Sequence, residues 1–261
     1  MTWIAEPWDY LIVTAANRAQ ASAYESQLEL REALGLLGGA SRILVLPDPE
    51  GKRIGSGGST LYCLMEVLRR ELPSQGGDRG HPELWRETLE RLRILIVHAG
   101  GDSKRLPAYG PCGKVFVPVP GESDSAATVT LFDRQIHTYL ALPPAPDGMG
   151  QVVITSGDAL LSFDPSLVQM QAGGITGLGC MASSEEASNH GVYCTDGSGK
   201  RVRLFLQKPS CEEQAAVEAV DRYGQSVLDI GLMIFDARTA TTLLEACDVK
   251  CKRDGTLSWT G

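Results

Sequence analysis

An α/β fold, with a mostly parallel sheet flanked by helices, is predicted by three features of this sequence. Short apolar segments alternate with segments of helical periodicity along most of the chain. The apolar segments contain few polar residues, which is typical of strands buried on both faces of a parallel sheet. Glycine and proline residues mark the ends of many segments. Ligands of such sheets bind beyond the carboxyl ends of the strands, so the residues that follow each strand are candidates for a functional site.

In the first half of the chain, the sequence predicts alternating strands and helices. The strands are Asp9–Ala15, Arg42–Leu46 and Arg93–Val97. The first helix is Arg18–Leu37, which Gly38 and Gly39 end; a second helix follows the glycine cluster at residues 55–60, and a third begins at about Glu83. In the second helix, the spacing i, i+3, i+4, i+7 of an apolar helix face is found at Leu61, Leu64, Met65 and Leu68.

The second half continues in the same way and adds a β-hairpin. The expected extended segments are Val115–Val119, Val152–Thr155 and Ser226–Phe235, and the expected helices are Thr130–Leu140, Glu212–Arg222 and Arg238–Ala246. Gly191–Thr195 and Val202–Gln207 flank an Asp-Gly-Ser-Gly turn, which predicts a hairpin that forms a small β lobe. We expect one domain over residues 1–261. Because the pattern is lost after residue 247, we expect that domain to be incomplete at its C-terminus.

Composition and charge exclude several classes of protein. A chain of 261 residues, 43% hydrophobic and 21% charged, can bury a sizeable core and is not disordered or of low complexity. Its net charge of −8 is opposite in sign to the basic surface that nucleic-acid binding needs, so we expect no nucleic-acid partner. The N-terminus lacks the basic segment of a signal peptide and no apolar run could span a bilayer, so we expect a cytoplasmic protein without a membrane partner. The cysteines are odd in number and lack C-x-x-C spacing, which favours free thiols over zinc ligands.

The segment from Arg93 to Pro120 carries the strongest chemical signal. A predicted buried strand runs into a glycine turn, and two cations follow it closely. Glycines at a strand end let backbone N–H groups approach a polyphosphate, and the predicted phosphate-binding residues are Gly100, Gly101, Asp102 and Ser103. Arg105 and Lys114 are the predicted catalytic residues, because nucleotidyl transfer needs cations that neutralise the attacked phosphate and the leaving pyrophosphate. The alternative is an ordinary β–α turn with solvated surface cations.

A second glycine-rich segment opens the helix after the second strand. Its residues are Gly55, Ser56, Gly57, Gly58, Ser59 and Thr60. We expect Ser59 or Thr60 to cap the helix, whose N-terminus would attract an anion or a nucleobase carbonyl. The spacing fits neither the G-x-G-x-x-G pattern nor a Walker A loop. A tight turn with a capped helix is the purely structural alternative.

Taken together, GSGGST at residues 55–60 and HAGGDSKRLPAYGPCGK at residues 98–114 resemble the fucose-1-phosphate guanylyltransferase family. The second segment also resembles the broader sugar-nucleotidyltransferase signature, from which it departs at Ser103, Lys104 and Gly113. The resemblance covers residues 9–246. It implies a Rossmann-like, sugar-nucleotidyltransferase-like fold, and it implies nucleotide binding by residues 55–60. It also implies a fucokinase domain as a partner in full-length bifunctional relatives.

Asp158 is the candidate metal ligand. It ends the passage from a predicted strand into a loop, where a carboxylate can hold Mg²⁺ (or Mn²⁺) against nucleotide phosphates, although an aspartate in an Asx turn would look the same. The resemblance implies that Asp158 holds the catalytic metal.

The resemblance further implies that the sugar phosphate is bound by Asn189, Gly191, Lys208 and Asp229, with Gln207 in place of the usual glutamate. Pro209 predicts an extended backbone at Lys208.

The function that the resemblance implies is the reaction of GTP with L-fucose 1-phosphate to give GDP-fucose and pyrophosphate. The first alternative keeps this chemistry with another sugar 1-phosphate or another nucleotide. The second is a nucleotide-binding module without catalysis. A sugar kinase is not expected, because the glycine- and serine-rich phosphate loop of a fucokinase does not occur in the sequence.

Overall fold

The computed structural model describes residues 6–73, 79–101, 107–110, 113–121, 127–146, 149–252 and 256–259. The strands are β1 (Tyr10–Ala15), β2 (Ile43–Pro47), β3 (Arg93–His98), β4 (Gln151–Ser156), β5 (Ile175–Ser183), β6 (Gly191–Thr195), β7 (Val202–Gln207), β8 (Gln225–Phe235), β9 (Lys250–Cys251) and β10 (Leu257–Ser258). The helices are α1 (Arg18–Ala33), α2 (Gly55–Glu71), α3 (Pro82–Leu89), α4 (Leu131–Leu140), α5 (Ser184–Ala187), α6 (Cys211–Ala216) and α7 (Ala237–Ala246). The chain forms two compact units, Met1–Thr176 with Ile234–Gly261, and Gly177–Met233.

The first unit contains the parallel sheet that the sequence predicts. Strand β1 lies between β2 and β3, and β3 pairs in turn with β4, all in parallel register. The order β2-β1-β3-β4 therefore brings the carboxyl ends of these strands to one edge of the sheet. All six residues of β1 are buried, as expected for a strand covered on both faces.

Helices α2, α3 and α7 cover one face of this sheet. The apolar side of α2 packs against β1 and β3 in the largest core cluster, which includes Ile12, Leu64, Leu68 and Ile94. Trp85 of α3 is 1% exposed and joins the same cluster. The short antiparallel pair β9–β10 precedes Trp259, whose ring lies against Tyr62 of α2. None of the helices in the described part of the chain combines the length and apolar character of a membrane span.

The second unit contains the predicted hairpin. Strand β6 pairs antiparallel with β7 and with β8, and β5 pairs with β8. The sequence did not predict β5. This strand contains Gly177 and Gly179, and glycine is disfavoured in strands. At both positions a Cβ atom would collide with neighbouring side chains, Tyr193 at Gly177 and Val227 at Gly179, so the packing of this sheet requires glycine there.

Three predicted elements have different bounds in the structure. Helix α1 ends at Ala33 instead of Leu37, because Gly35 adopts a left-handed φ of +71°. Helix α6 ends at Ala216 instead of Arg222, and Glu218 has a left-handed φ of +57° just beyond it. The prediction of an extended Val115–Val119 was wrong at its start, because Lys114–Phe116 form a 3₁₀ turn before the chain extends from Val117.

Candidate active site

A pocket in the first unit lies at the carboxyl ends of β1 to β4, where parallel sheets bind their ligands. Its lining comes from four strand ends, the first turns of α2 and the segment around Lys114. The lining residues are Thr14, Asp48, Arg53, Gly55, Ser56, Ser59, His98, Ala99, Gly100, Gly101, Lys114, Val115, Gly157 and Asp158. The pocket thus brings together the two glycine segments, Lys114 and Asp158, which are far apart in the sequence.

The glycine segment at residues 55–60 is the N-terminus of α2 itself. The prediction that Ser59 or Thr60 caps the helix was wrong, because the helix begins at Gly55 and both residues lie inside it. Ile54 occupies the cap position and supplies no side-chain hydrogen bond. Gly55, Ser56 and Ser59 line the pocket, whereas Gly57, Gly58 and Thr60 belong to the same two turns without lining it. A helix N-terminus without a side-chain cap offers backbone N–H groups to an anion.

The hydroxyls of Ser59 and Thr60 have other partners. Ser59 donates to Asp48 Oδ1 at 2.7 Å, and Thr60 donates to the Ser56 carbonyl at 2.9 Å. Each bond fixes the start of α2: the first against the end of β2, the second within the helix. These residues therefore shape the pocket wall rather than cap the helix.

The two glycines of the turn after β3, Gly100 and Gly101, have different surroundings. A Cβ atom at Gly100 would lie 3.1 Å from the backbone of Ala15, so close packing against β1 requires glycine there. A Cβ atom at Gly101 would meet nothing within 4 Å. Gly101 therefore leaves space at the pocket that a ligand can use. Asp102, Ser103 and Arg105 lie outside the described residues, and their predicted roles stay predictions.

His98, at the end of β3, connects the two glycine segments. Because the Thr60 hydroxyl donates to Ser56, it accepts from His98 Nε2–H, at 2.9 Å. His98 Nδ1 then faces the Thr14 hydroxyl at 3.4 Å, and the Thr14 oxygen accepts from the Ala99 N–H at 3.1 Å. Burial lowers the pKa of His98 to about 4, so the ring is neutral at pH 7.

Lys114 and Asp158 form an ion pair at the pocket, with 2.9 Å between Nζ and Oδ2. Lys114 begins the 3₁₀ turn after Gly113, whose φ of +60° and close contact with the Tyr24 ring leave no room for a side chain. Asp158 follows β4, and its Oδ1 accepts from the Ser156 hydroxyl at 2.8 Å. The side chains of Lys114 and Asp158 are 35% and 49% exposed, so both are accessible to a ligand.

The Asp158 carboxyl is held in its ionised form. Burial raises its pKa, but hydrogen bonds from Lys114 and Ser156 and the charge of Lys114 outweigh burial, and the net pKa lies below its usual value. A charged, half-exposed carboxylate suits a hard divalent cation that takes its remaining ligands from phosphates and water. In the described ranges, no group of three or more His, Cys, Asp or Glu side chains forms a complete metal cage. Among the described residues, Asp158 thus fits a metal that takes its other ligands from phosphate and water.

The predicted sugar-phosphate residues belong to the second unit, where they gather around β6. Asn189 is exposed just before β6, and Gly191 pairs with Gln207, next to Lys208. Asp229 Oδ1 accepts from the Tyr193 hydroxyl at 2.9 Å and from the Gly231 N–H at 2.8 Å.

The structure adds two facts about this group, one on the backbone of Lys208 and one on the packing of Gly191. The prediction of an extended Lys208 was wrong, because its φ of +51° is left-handed. Gly191 has a packing role of its own, since a Cβ atom there would collide with the ring of Phe205.

Thr14, Asp48 and His98 are among the pocket residues that were not predicted from the sequence. Each lies at or just after the end of a predicted strand, and this position is the signal that could have found them. No pattern of residue types marks them, because Thr14 and His98 are single polar residues in apolar strands and Asp48 lies between two prolines.

Fold and pocket together define an α/β protein whose candidate site for an anionic ligand lies at the carboxyl edge of a parallel sheet. The family model described as "Fucose pyrophosphorylase domain" matches residues 86–257. The chain belongs to the fucose pyrophosphorylase family, which confirms the resemblance drawn from residues 55–60 and 98–114.

Curated relatives agree with this family. The chain is 31% identical to the "Bifunctional fucokinase/GDP-fucose pyrophosphorylase" of Arabidopsis thaliana over 91% of its own length and 24% of that protein. It is 31% identical to the "Fucose-1-phosphate guanylyltransferase" of Mus musculus over 87% of its length and 38% of the relative. It is 30% identical to the "L-fucokinase/L-fucose-1-P guanylyltransferase" of Bacteroides fragilis over 76% of its length and 20% of the relative. The chain thus spans well under half the length of each of these relatives.

Proposed function

We propose that this chain is a sugar-1-phosphate nucleotidyltransferase that converts GTP and L-fucose 1-phosphate into GDP-fucose and pyrophosphate. The observation that carries the proposal is the Lys114–Asp158 pair, which lies with the glycine turn in one pocket of a fucose pyrophosphorylase family member. The names of the relatives supply the substrates.

In the proposed reaction, an oxygen of the sugar phosphate attacks the α-phosphorus of GTP in line. A P–O bond forms as the bond between the α-phosphorus and its bridging oxygen breaks, and pyrophosphate leaves with that electron pair. Negative charge grows on both sides of the α-phosphorus, so catalysis depends on position and charge stabilisation.

Several residues of the pocket have a defined task in this proposed reaction. Lys114 supplies the cation at the attacked phosphate, and it must exchange its bond to Asp158 for a phosphate oxygen. Gly101 leaves space for the triphosphate, and the N-terminus of α2 offers backbone N–H groups to an anion or a nucleobase carbonyl. Asp158 would hold Mg²⁺ (or Mn²⁺), whose charge would further neutralise the developing negative charge. Arg105, outside the described residues, is proposed to neutralise pyrophosphate.

The proposed sugar-phosphate contacts of Asn189, Gly191, Lys208 and Asp229 rest on the resemblance. Lys208 is exposed, and one oxygen of Asp229 already accepts two hydrogen bonds. Substitution of each residue, with KM for the sugar phosphate as the readout, tests these contacts separately from the nucleotide pocket.

The decisive experiment measures pyrophosphate release from a panel of nucleotide and sugar 1-phosphate pairs, with and without Mg²⁺. We expect release with GTP and L-fucose 1-phosphate, and a loss of about 10²–10³ in kcat for Lys114→Ala, as for other single transition-state donors. Asp158→Asn should weaken the apparent affinity for the metal. Lys52→Ala is the matched control, because Lys52 forms an exposed ion pair with Glu50 outside the pocket. Near-normal turnover of Lys114→Ala would remove Lys114 from the mechanism, and no release from any pair would leave a binding module.

A further inference from the structure

We infer that the carboxylate of Asp48 recognises the base of the nucleotide and selects guanine. Asp48 directly follows β2, and its side chain is 7% exposed, yet it lines the pocket that contains Gly101, Lys114 and Asp158. The inference rests on the proposed function, because it names the residue by which that site distinguishes one nucleotide from another.

The Asp48 carboxylate has a fixed position and unused acceptor capacity. Its backbone N–H donates to the Ala15 carbonyl at 2.8 Å, and its own carbonyl accepts from the Gly51 N–H at 3.0 Å. The Ser59 hydroxyl donates to Oδ1. Between described residues, the bond from the Ser59 hydroxyl is the one hydrogen bond or ion pair that the structure shows for the Asp48 side chain. The carboxylate therefore has lone pairs left for the donors of a ligand that enters the pocket.

The strand order places Asp48 away from the phosphate end of the pocket. Asp48 follows β2 and Asp158 follows β4, with β1 and β3 between them. Three strand spacings correspond to about 14 Å. The Lys114 ammonium attracts phosphate, so the triphosphate lies toward Lys114 and the nucleoside lies toward Asp48.

The donors of the nucleoside decide what Asp48 can bind. The edge of guanine presents N1–H and the 2-amino group side by side, which matches the two acceptor oxygens of a carboxylate. Adenine, cytosine and uracil each place an acceptor beside their donor, and this acceptor would face a carboxylate oxygen. A buried polar group that a ligand leaves unpaired discriminates strongly against that ligand. The two hydroxyls of ribose are the other adjacent donors of a nucleotide, and the experiment distinguishes them from the base.

The test compares GTP, inosine triphosphate, xanthosine triphosphate and 2′,3′-dideoxy-GTP as substrates of the full chain and of Asp48→Asn. Inosine triphosphate lacks the 2-amino group, and xanthosine triphosphate carries a carbonyl there, to which the amide of asparagine can donate. We expect the wild-type chain to prefer GTP, and Asp48→Asn to shift the ratio of kcat/KM for xanthosine triphosphate to that for GTP by about 10² or more. A gain on a new substrate cannot result from misfolding.

Glu50→Gln is the matched control, because it makes the same change from carboxyl to amide at an exposed side chain two residues away. Unchanged base preference in Asp48→Asn, with pyrophosphate release intact, would overturn the inference and leave the proposed function standing. Loss of discrimination only against 2′,3′-dideoxy-GTP would assign Asp48 to the ribose and would also overturn it. If no pair releases pyrophosphate, the dissociation constants of the same four nucleotides, measured by calorimetry, decide the inference without catalysis.

Discussion

His98 is the residue on which the geometry of the pocket depends most directly. Its ring nitrogens contact Thr60 of α2 and Thr14 of β1, and Thr14 in turn accepts from the Ala99 N–H at the glycine turn. A neutral ring with the proton on Nε2 satisfies all of these partners. A protonated ring would lose the acceptor that faces Thr14, so the network requires the neutral form.

We expect this requirement to appear as a loss of stability in acid. The pKa of His98 is about 4 in the folded chain and about 6.5 when unfolded, so the unfolded chain binds the extra proton between these values. Stability is therefore fully present above about pH 6.5 and falls as the pH drops toward 4, by at most about 3 kcal/mol from this group. Urea denaturation at several pH values in this window measures the effect.

His98→Gln is the variant that isolates this contribution. Its amide N–H can still donate to Thr60, but the side chain does not titrate. The free energy of unfolding of His98→Gln should therefore depend less steeply on pH between 4 and 6.5 than that of the wild-type chain. Parallel pH profiles for the two proteins would show that His98 does not control acid stability.

Among the elements, α1 and α4 are joined by a buried ion pair. Arg31 of α1 is 1% exposed and bonds both carboxylate oxygens of Asp133, with distances of 2.6 and 2.8 Å. Asp133 also completes the capping box of α4 with Thr130, and Arg31 lies 5.0 Å from the Phe116 ring centroid. Because Phe116 ends the 3₁₀ turn that Lys114 begins, this pair also supports the position of Lys114.

Arg31→Met should destabilise the chain by about 3–5 kcal/mol, because it leaves the Asp133 carboxylate without its cation in a buried setting. Arg69→Ala, which removes a more exposed partner of Glu66, should cost less than about 1 kcal/mol. Urea midpoints of both variants give the comparison. Equal midpoints would contradict the structural role assigned to Arg31.

For the whole molecule, the prediction concerns the two activities that the names of the bifunctional relatives give. The family model that matches the chain describes a pyrophosphorylase domain, and the phosphate loop of a fucokinase does not occur in the sequence. We therefore expect the chain to release pyrophosphate without phosphorylating fucose. Incubation of the purified chain with labelled ATP and free L-fucose tests this expectation, and stoichiometric fucose 1-phosphate would contradict it.

Most strands and helices could be predicted from the sequence, because their type depends on the spacing of apolar residues within the element. Strands β1 to β4 and helices α4 and α7 were predicted within a few residues, and α2 and α3 were predicted without their ends. Strand β5 was missed because its glycines are needed by a packing partner, Tyr193, that is distant in sequence. Helix ends were misplaced where one residue adopts a left-handed backbone, which apolar periodicity does not report.

The α/β class, the glycine turn after β3 and the family follow from the sequence alone, which also predicts Lys114 and Asp158 as site residues. These inferences depend on residue types at short spacings, which a single chain displays directly. Folding brings Lys114 to Asp158, 44 residues away, and brings Thr14, Asp48 and His98 into the same pocket. These contacts are not readable from the sequence because the order β2-β1-β3-β4, not the order along the chain, determines which strand ends are neighbours.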